Sequence, residues 1–510
     1  MARFKQYSYS QGKFIPIQFD KQILPNTFEY AVHYLIDNEI DLSVFRNRYK
    51  NDEVGAPAYD PAILLKIVLY AYSKGIVSSR KIAQCCRENI IFMALSADTR
   101  PHFTTIASFI SSLDKEVVHL FRDILLVCDQ MGLIGKEMFA VDGCKISSNA
   151  SKEWSGTKEE FDKKCSKLEE AIFRMIERHR DLDKQEKEPE LVAREQRYVE
   201  KLRSQVRKIR KWMGENEDKP GRGGGIRKSN ITDNDSAKMK SSRGVIQGYN
   251  GLAMVDDKHQ VIVHGEAFGE GQEQYLLQPM VEGTREMLSS IDADDFCKIK
   301  LLADAGFHTA KTAKYVFEEG IDAYMADRNF RKRDPRFKDR DRYKTRARKE
   351  RKSRWFTPRD FEVDLEKETC ICPAGKSLYV KNRNFVTSKG YKAVAFMAKK
   401  SDCKKCALKK RCLRNPDKTP ARQVHIFYGK KKCAGNPFIE RMKSKIDSVV
   451  GRQIYSKRLG IVEPVFAHIT SALGLNRFTL RGKAKVNIQW LLFCVVHNMK
   501  KIHRYGLEFT

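Results

Sequence analysis

The sequence lacks an apolar run long enough to cross a bilayer. The longest strongly apolar stretch near its end, Leu491 to Val496, falls far short of the roughly 20 residues a span requires. No secretory leader is expected, since the opening Met-Ala-Arg-Phe-Lys-Gln has no uninterrupted apolar core. The 13 cysteines are an odd number, scattered except between Cys370 and Cys412, so no disulfide framework is indicated. Reduced thiols and a cytoplasmic location are the expectation. No internal repeat is visible. The glycine-rich stretch Pro220-Gly-Arg-Gly-Gly-Gly225 lacks the Gly-Lys-Ser/Thr ending of a phosphate loop and reads as a flexible linker. Acidic residues are the last deficit: 65 Asp and Glu face 96 Lys and Arg, a formal net charge of +31.

Such an excess repels itself unless a polyanion is near, and for a soluble basic protein the commonest polyanion is nucleic acid. Ribosome association, or mere basicity, is the blander alternative. With 41% apolar residues the chain can fold, and 510 residues predict three or four modules.

Residues 1–130 read as helical. Asp60-Pro61 supplies a cap and a first-turn proline for Ile63, Leu64, Ile67, Val68 and Tyr70; Ser78-Ser79 caps a second helix; Thr104 or Thr105 starts a third. Short helices with polar turns suit a helix-turn-helix DNA reader or a supporting bundle. At 131–152 the pattern changes: Met138-Phe-Ala-Val-Asp142-Gly is a short strand ending in a carboxylate. Residues 153–230 hold a helical hairpin and linker. One apolar stripe contains Leu168, Ile172, Met175 and Ile176; the other contains Leu191, Tyr198, Leu202, Val206, Ile209 and Met213, with Pro189 between them. Residues 231–326 return to strands: Tyr249–Val255, a turn at Asp256-Asp257-Lys258, then Val261–Phe268. A helix from about Gln272 follows, then Ile299-Lys-Leu-Leu-Ala-Asp304, a further helix, and a short strand at Asp322–Ala326. That order predicts an α/β fold with a mixed sheet. Residues 327–450 form a basic, cysteine-containing, strand-rich segment, and 451–510 are helical.

Three acids stand out. Asp142 and Asp304 each follow a strand, where neighbouring strands can bring them together; Glu463 lies on an apolar helix with little other negative charge. Two divalent ions held by a few such carboxylates suffice to cut and transfer phosphodiesters. A single Asp at a strand end is as readily a turn or helix cap, and Asp256 and Asp257 are assigned to that role.

Several segments resemble the insertion-sequence DDE transposases of bacteria, in the group with a Tyr-Arg-Glu signature around the last acid. They are Tyr59-Asp-Pro-Ala-Ile-Leu-Leu-Lys, Ser78-Ser-Arg-Lys-Ile-Ala and Thr104-Thr-Ile-Ala-Ser-Phe, then Val141-Asp142-Gly-Cys-Lys-Ile-Ser-Ser-Asn-Ala-Ser. Thr232-Asp-Asn-Asp-Ser-Ala-Lys-Met, Gly248-Tyr-Asn and Ala303-Asp304-Ala-Gly-Phe come next. Val462-Glu463-Pro-Val-Phe, and Arg477-Phe-Thr-Leu-Arg-Gly through His497-Asn-Met-Lys-Lys, complete the series in the family's order. The resemblance implies a ribonuclease-H-like sheet with Asp142, Asp304 and Glu463 as ligands of Mg²⁺ or Mn²⁺, and a hairpin and a strand-rich segment inserted into it. It implies cleavage at element ends and strand transfer into target DNA, a homodimer in the synaptic complex, and a cytoplasmic, nucleoid-associated protein with no membrane partner. A non-catalytic DNA-binding relative, or a nuclease on the same fold, is the alternative. Two features depart from the signature. Its Arg commonly precedes the Glu by four residues, about 40° around a helix, whereas Arg458 precedes Glu463 by five, about 140°. The Lys expected seven residues after the Glu is Thr470. Tyr455 and Arg458 are the expected phosphate contacts, with Arg477 or Lys483 as substitutes.

Two further groups carry chemistry. Cys372, Cys403, Cys406 and Cys412, with Cys370 as a substitute, have the pair-plus-pair spacing of a structural Zn²⁺ site, or are free buried thiols. The run Arg328–Arg354, with Arg328, Arg331, Lys332 and Arg333 at its start and aromatics interleaved, reads as a DNA contact or a solvated loop.

Overall fold

The computed structural model describes residues 16–48, 57–182, 189–221, 224–241, 244–291, 296–337, 340, 355–387, 390–430 and 436–506. It divides into two compact units: residues 1–328 with 441–510, and residues 329–440.

The first unit opens with six helices, α1 (Phe28–Asn38), α2 (Pro61–Ser73), α3 (Ser79–Glu88), α4 (Ile90–Leu95), α5 (Phe103–Ser111) and α6 (Lys115–Gln130). Asp60 caps α2, accepting the Ala62 N–H at 2.8 Å, with Pro61 at its first position. The α5 cap is His102 rather than Thr104 or Thr105; its ring nitrogen accepts the Thr104 N–H. These helices gather around α17 (Lys483–Tyr505), where the buried rings of Tyr72 and Phe493 lie 5.0 Å apart.

The main sheet begins with β1 (Met138–Ser147), which does not stop at Asp142. It runs five residues further because it pairs antiparallel with β7 (Gly244–Asp256) along nearly its whole length, Phe139↔Asp256 to Ser147↔Gly248. Between them in sequence lie β2 (Ser155–Gly156), helices α7 (Lys158–Leu182) and α8 (Pro189–Glu215), β3 (Lys219–Pro220), β4 (Ile226–Arg227), β5 (Ser229–Asn230) and β6 (Ala237–Ser241). The glycine-rich stretch expected as a linker thus sits between β3 and β4, which pair as a small hairpin. In the helical pair, Ile172, Leu202, Val206 and Ile209 are buried together with Phe161 and Trp212. Tyr198, expected on the inner stripe, is 50% exposed, and Val199 takes the buried position. The side chain of Leu191 lies outside the described residues.

Strand β8 (Ile262–Phe268) pairs with β7; α9 (Leu277–Ser289), β9 (Lys300–Ala303), α10 (Ala310–Glu318) and β10 (Ala323–Met325) follow. A 3₁₀ turn at Glu273–Tyr275 precedes α9, so the helix starts later than the sequence pattern predicts. Across the sheet the order is β10-β9-β1-β7, with β6 and β8 both on the far side of β7. Strands β1, β9 and β10 are parallel and β7 is antiparallel to its neighbours. One face is covered by α17, whose fully buried Trp490 donates Nε1–H to the Leu252 carbonyl at 3.1 Å. Truncating such a side chain costs about 3–5 kcal/mol. The other face receives α9, where a Cβ at Gly283 would lie 2.5 Å from His264 Nε2, so only glycine fits.

In the second unit, a short α11 (Phe330–Arg333) is followed by an antiparallel sheet of β11 (Glu362–Asp364), β12 (Thr369–Ile371), β13 (Ser377–Val386), β14 (Tyr391–Met397) and β15 (Gln423–Lys430). Helices α12 (Lys400–Lys404) and α13 (Lys409–Cys412) lie between the last two strands in sequence. Its core is small: Phe361, Cys370, Leu378, Val394, Phe396, Ala398 and Val424.

The chain then enters α14 (Pro437–Asp447), α15 (Val449–Ser456) and α16 (Arg458–Ala467). Pro464 is accommodated inside α16 opposite Gly460, and a wide π turn at His468–Ala472 follows it. Among the described residues, no helix is long and apolar enough to cross a membrane.

Candidate active site

The register of two parallel strands builds the centre of the site. Val141 of β1 lies beside Ala303 of β9, so Asp142, still within β1, and Asp304, just past the end of β9, come to lie side by side. There β9 ends and β1 goes on. Among the described residues, the backbone at Arg477 joins β1 at Ser147 alone, and none pairs as a strand with the edge from Gly143 to Ile146 on that side. An open cleft of about 620 Å³ lies along this edge, lined by Gly143, Lys145, Glu273, Thr470 and Asn476 among others.

The carboxylates are held by backbone and by one cation. Asp142 Oδ1 accepts its neighbour's N–H at 2.8 Å, and Asp142 Oδ2 accepts Nη1–H of Arg458 at 2.9 Å. Arg458 is only 8% exposed. Burial works against its charge, but Asp142, Tyr455 and Asp304 together more than offset this and hold the guanidinium ionised. Asp304 Oδ1 accepts the Gly306 N–H at 2.6 Å. Burial, and then the charge of Asp142, push the Asp304 carboxyl above the usual carboxylate range. Two half-buried acids with one guanidinium between them lack half the positive charge that would neutralise them.

Glu463 lies on α16, five residues beyond Arg458, with its side chain exposed. The acid that converges with Asp304 is another one, Glu273, which also lines the cleft. A Cβ on Gly306 would lie 2.7 Å from Glu273 Oε2 and 2.8 Å from Asp304 Oδ1, so the two carboxylates converge on one glycine. Burial, then the charge of Asp304, raise the Glu273 carboxyl, against the lowering effect of a hydrogen bond from Asn250. In the sequence, Gly269-Glu-Gly-Gln-Glu273 reads as a turn before a helix. The available signal was topological: β8 is parallel to β1, so the residues after β8 emerge at the same sheet edge as Asp142 and Asp304.

The other expected residues fall as follows. Tyr455 is half-buried on α15, close enough to Arg458 to influence its charge. Arg477 donates to the Ser148 carbonyl and to Asn149 Oδ1 beyond the end of β1, and Lys483 is paired with Glu266 at 2.8 Å. In the second unit, Arg331 and Lys332 are exposed and Arg333 is half-buried; Arg328, the last residue of the first unit's leading segment, is exposed. Residues 338–339 and 341–354 of the basic run lie outside the described residues. Cys372, Cys403, Cys406 and Cys412 line one small cavity with Phe356 and Leu413, whereas Cys370 is buried in the sheet core. Among the described residues, no three His, Cys, Asp or Glu side chains are drawn together closely enough to hold an ion.

Residues 371–503 match the family model of a transposase DDE domain, and residues 17–112 match that of a transposase domain, DUF772. Together the two matches point to an insertion-sequence DDE transposase. The first match spans Glu463 and the strands from β13 onward, and the second covers α1 to α5. No curated protein and no solved structure matches the chain. A nucleic-acid-processing enzyme on a mixed α/β sheet follows from the family together with the fold.

Proposed function

We propose that this transposase cleaves DNA at the ends of a mobile element and joins the freed 3′ ends to target DNA, with Asp142, Asp304 and Glu463 as its acids. The observation that carries this reading is the parallel register Val141↔Ala303, which sets Asp142 beside Asp304 at an open sheet edge. The strand order, three parallel strands flanked by an antiparallel β7 and then β8, supports a ribonuclease-H-like sheet.

The family works with divalent metal ions. The donor set fits a hard cation of the Mg²⁺ or Mn²⁺ kind: oxygen ligands, mutual repulsion that raises Asp304, and a guanidinium already drawn to Asp142. When bound, such ions neutralise phosphate charge, activate the attacking hydroxyl and stabilise the leaving oxygen. The protein's own part is placement. Asp142 and Asp304 hold their side of the site, with Gly306 N–H fixing the Asp304 carboxylate. Glu463 completes the set from α16. Arg458 leaves Asp142 as the site fills and, with Tyr455, contacts the phosphate. No covalent enzyme intermediate is required, because positioning and charge neutralisation suffice.

Arg328, Arg331, Lys332 and Arg333 supply further phosphate contacts in this reading. Cys372, Cys403, Cys406 and Cys412, which line one cavity, would hold a structural Zn²⁺ as thiolates. Two copies of the chain bring the two element ends together.

The test is a cleavage and strand-transfer assay with Mg²⁺ on a plasmid carrying the DNA that flanks the coding sequence. Nicked and joined products from the native chain, and neither from D142N, D304N or E463Q, are expected. Nicking without joining would replace the reading with a nuclease; DNA retention with neither product would replace it with a non-catalytic DNA-binding protein.

A further inference from the structure

We propose that Glu273 is a further cation ligand of this site, reaching Asp304 from the layer of the sheet opposite to that of Arg458. The inference rests on the reading of Asp142 and Asp304 as cation ligands and adds a residue to it.

Three observations carry it. The first is the convergence on Gly306. The space between Glu273 Oε2 and Asp304 Oδ1 is one that a single Cβ would fill, and residue 306 is a glycine, which leaves it open. Two carboxylate oxygens facing one small gap make a position that a hard cation, accepting oxygen ligands at about 2.1 Å for Mg²⁺, would occupy.

The second is the support behind Glu273. Asn250 is fully buried in β7 and donates Nδ2–H to Glu273 Oε1 at 3.1 Å. Its other atom, Oδ1, is buried without a hydrogen-bond partner. That oxygen lies 2.9 Å from where a Cβ on Gly143 would stand, next to Asp142. An amide fixed in the sheet with one end on Glu273 and an unused acceptor at the foot of the site is a preorganised support, not a cap for local backbone.

The third is that the sheet separates the two approaches. Side chains alternate between faces along β1, so Gly143 and Lys145 lie on the face that receives α9 and Glu273. Asp142 lies on the opposite face, where Arg458 holds it from α16. Asp304, in the loop just past β9, stands between these approaches. An acid from each layer would then enclose a cation against Asp304, whereas a surface carboxylate kept only for solubility would have no reason to be buried against two others. Like charges repel across a half-buried gap, and a cation seated there would draw the carboxylates inward.

The experiment measures Mn²⁺ binding to the full chain without DNA, by calorimetry and by the Mn²⁺-induced shift in melting temperature. E273Q keeps the shape and still accepts from Asn250. It is expected to melt no lower than the native chain without metal, since it removes one of three repelling charges. Its Mn²⁺ affinity is expected to fall by about tenfold or more, with a correspondingly smaller thermal shift. E273D is expected to restore part of that affinity. Native affinity and native thermal shift in E273Q would overturn the assignment. D304N separates this failure from failure of the underlying reading. If D304N also binds Mn²⁺ as the native chain does, the carboxylate edge is not the cation site at all; if D304N loses binding and E273Q does not, only the assignment of Glu273 falls.

Discussion

The two units divide the chemistry between them by charge. Residues 329–440 contain 34 Lys and Arg against 12 Asp and Glu, a net charge of +22 in 112 residues. The remaining 398 residues contain 62 against 53, a net of +9, which together make the +31 of the whole chain. The larger unit is close to balanced and keeps its acids where the sheet gathers them; the smaller one carries most of the attraction for a polyanion. Their cores differ in the same sense. The first unit buries whole helices such as α17 against a sheet, while the second, among its described residues, rests on a small cluster around Phe361, Phe396 and Val424 beside a cavity lined in part by four thiols. A unit with so little apolar core and so much like charge needs a staple.

The comparison breaks most visibly if the carboxylates are neutralised. D142N or D304N is expected to lower the cleavage rate by about a thousandfold or more, because the charge that fixes the cations is lost. DNA retention should be unchanged, as measured by filter binding; a parallel loss of affinity would mean that the two units do not divide the work. Next in size is the staple. Replacing Cys403 and Cys406 by Ser is expected to remove bound zinc, read by elemental analysis as one ion per chain in the native protein. It should expose residues 355–430 to limited proteolysis while leaving the first unit resistant. Zinc-free native protein with a resistant second unit would instead mark these cysteines as ordinary buried thiols.

A smaller effect tests the basic unit itself. The double variant R331A/K332A is expected to reduce the slope of log affinity against log salt by about 2, close to one for each phosphate that no longer meets a cation. The cleavage rate at saturating DNA should stay the same. An unchanged slope would assign these side chains to solvent.

The smallest expected effect belongs to the first unit and to pH. His468 and His497 face each other, Nδ1 to Nδ1 at 2.9 Å, and His497 Nε2 lies 2.9 Å from the Gln260 carbonyl. Burial lowers His468 to about 4 and His497 to about 3 from an ordinary 6.5. Both stay neutral in the folded chain while the unfolded chain takes up protons. Their stabilising contribution is therefore complete above pH 6.5 and is lost progressively as pH falls from there toward 4. Melting temperatures across that window should fall in the native chain and fall less in H497Q; equal slopes would remove the pair from the account.

How much of this was legible in the sequence varies with the range of the forces involved. Asp142 and Asp304 follow short apolar runs, a local pattern, and their strands are where that pattern puts them. That β1 continues to Ser147 was hidden, since Gly143-Cys-Lys has no apolar alternation and the strand there is held by β7 about a hundred residues away. Glu273 was hidden for the same reason. Its neighbourhood is fixed by β8 pairing with β7, and nothing in Gly-Glu-Gly-Gln-Glu discloses it. Tyr198 and Val199 exchange roles because helical spacing defines a stripe only to within about 100° per residue, and the partner helix decides which neighbour is covered. The family resemblance supplied Tyr455 and Arg458 as expected phosphate contacts, but it carried no information that Arg458 and Asp142 are ion-paired in the protein alone.

That ion pair has a consequence for the order in which the protein comes into being. Its two partners are 316 residues apart in sequence. At the usual 5–20 residues per second of synthesis, a ribosome needs about 15–60 s to travel from one to the other. Throughout that interval Asp142 has neither its arginine nor the α17 layer that covers its sheet, and the strands must wait as an incomplete layer. A chain interrupted between residue 440 and Arg458 would carry the basic second unit but no finished carboxylate edge. In the proposed reading such fragments would compete for DNA with the complete protein, and the lateness of the final helices means that the basic unit is made before the carboxylate edge is complete.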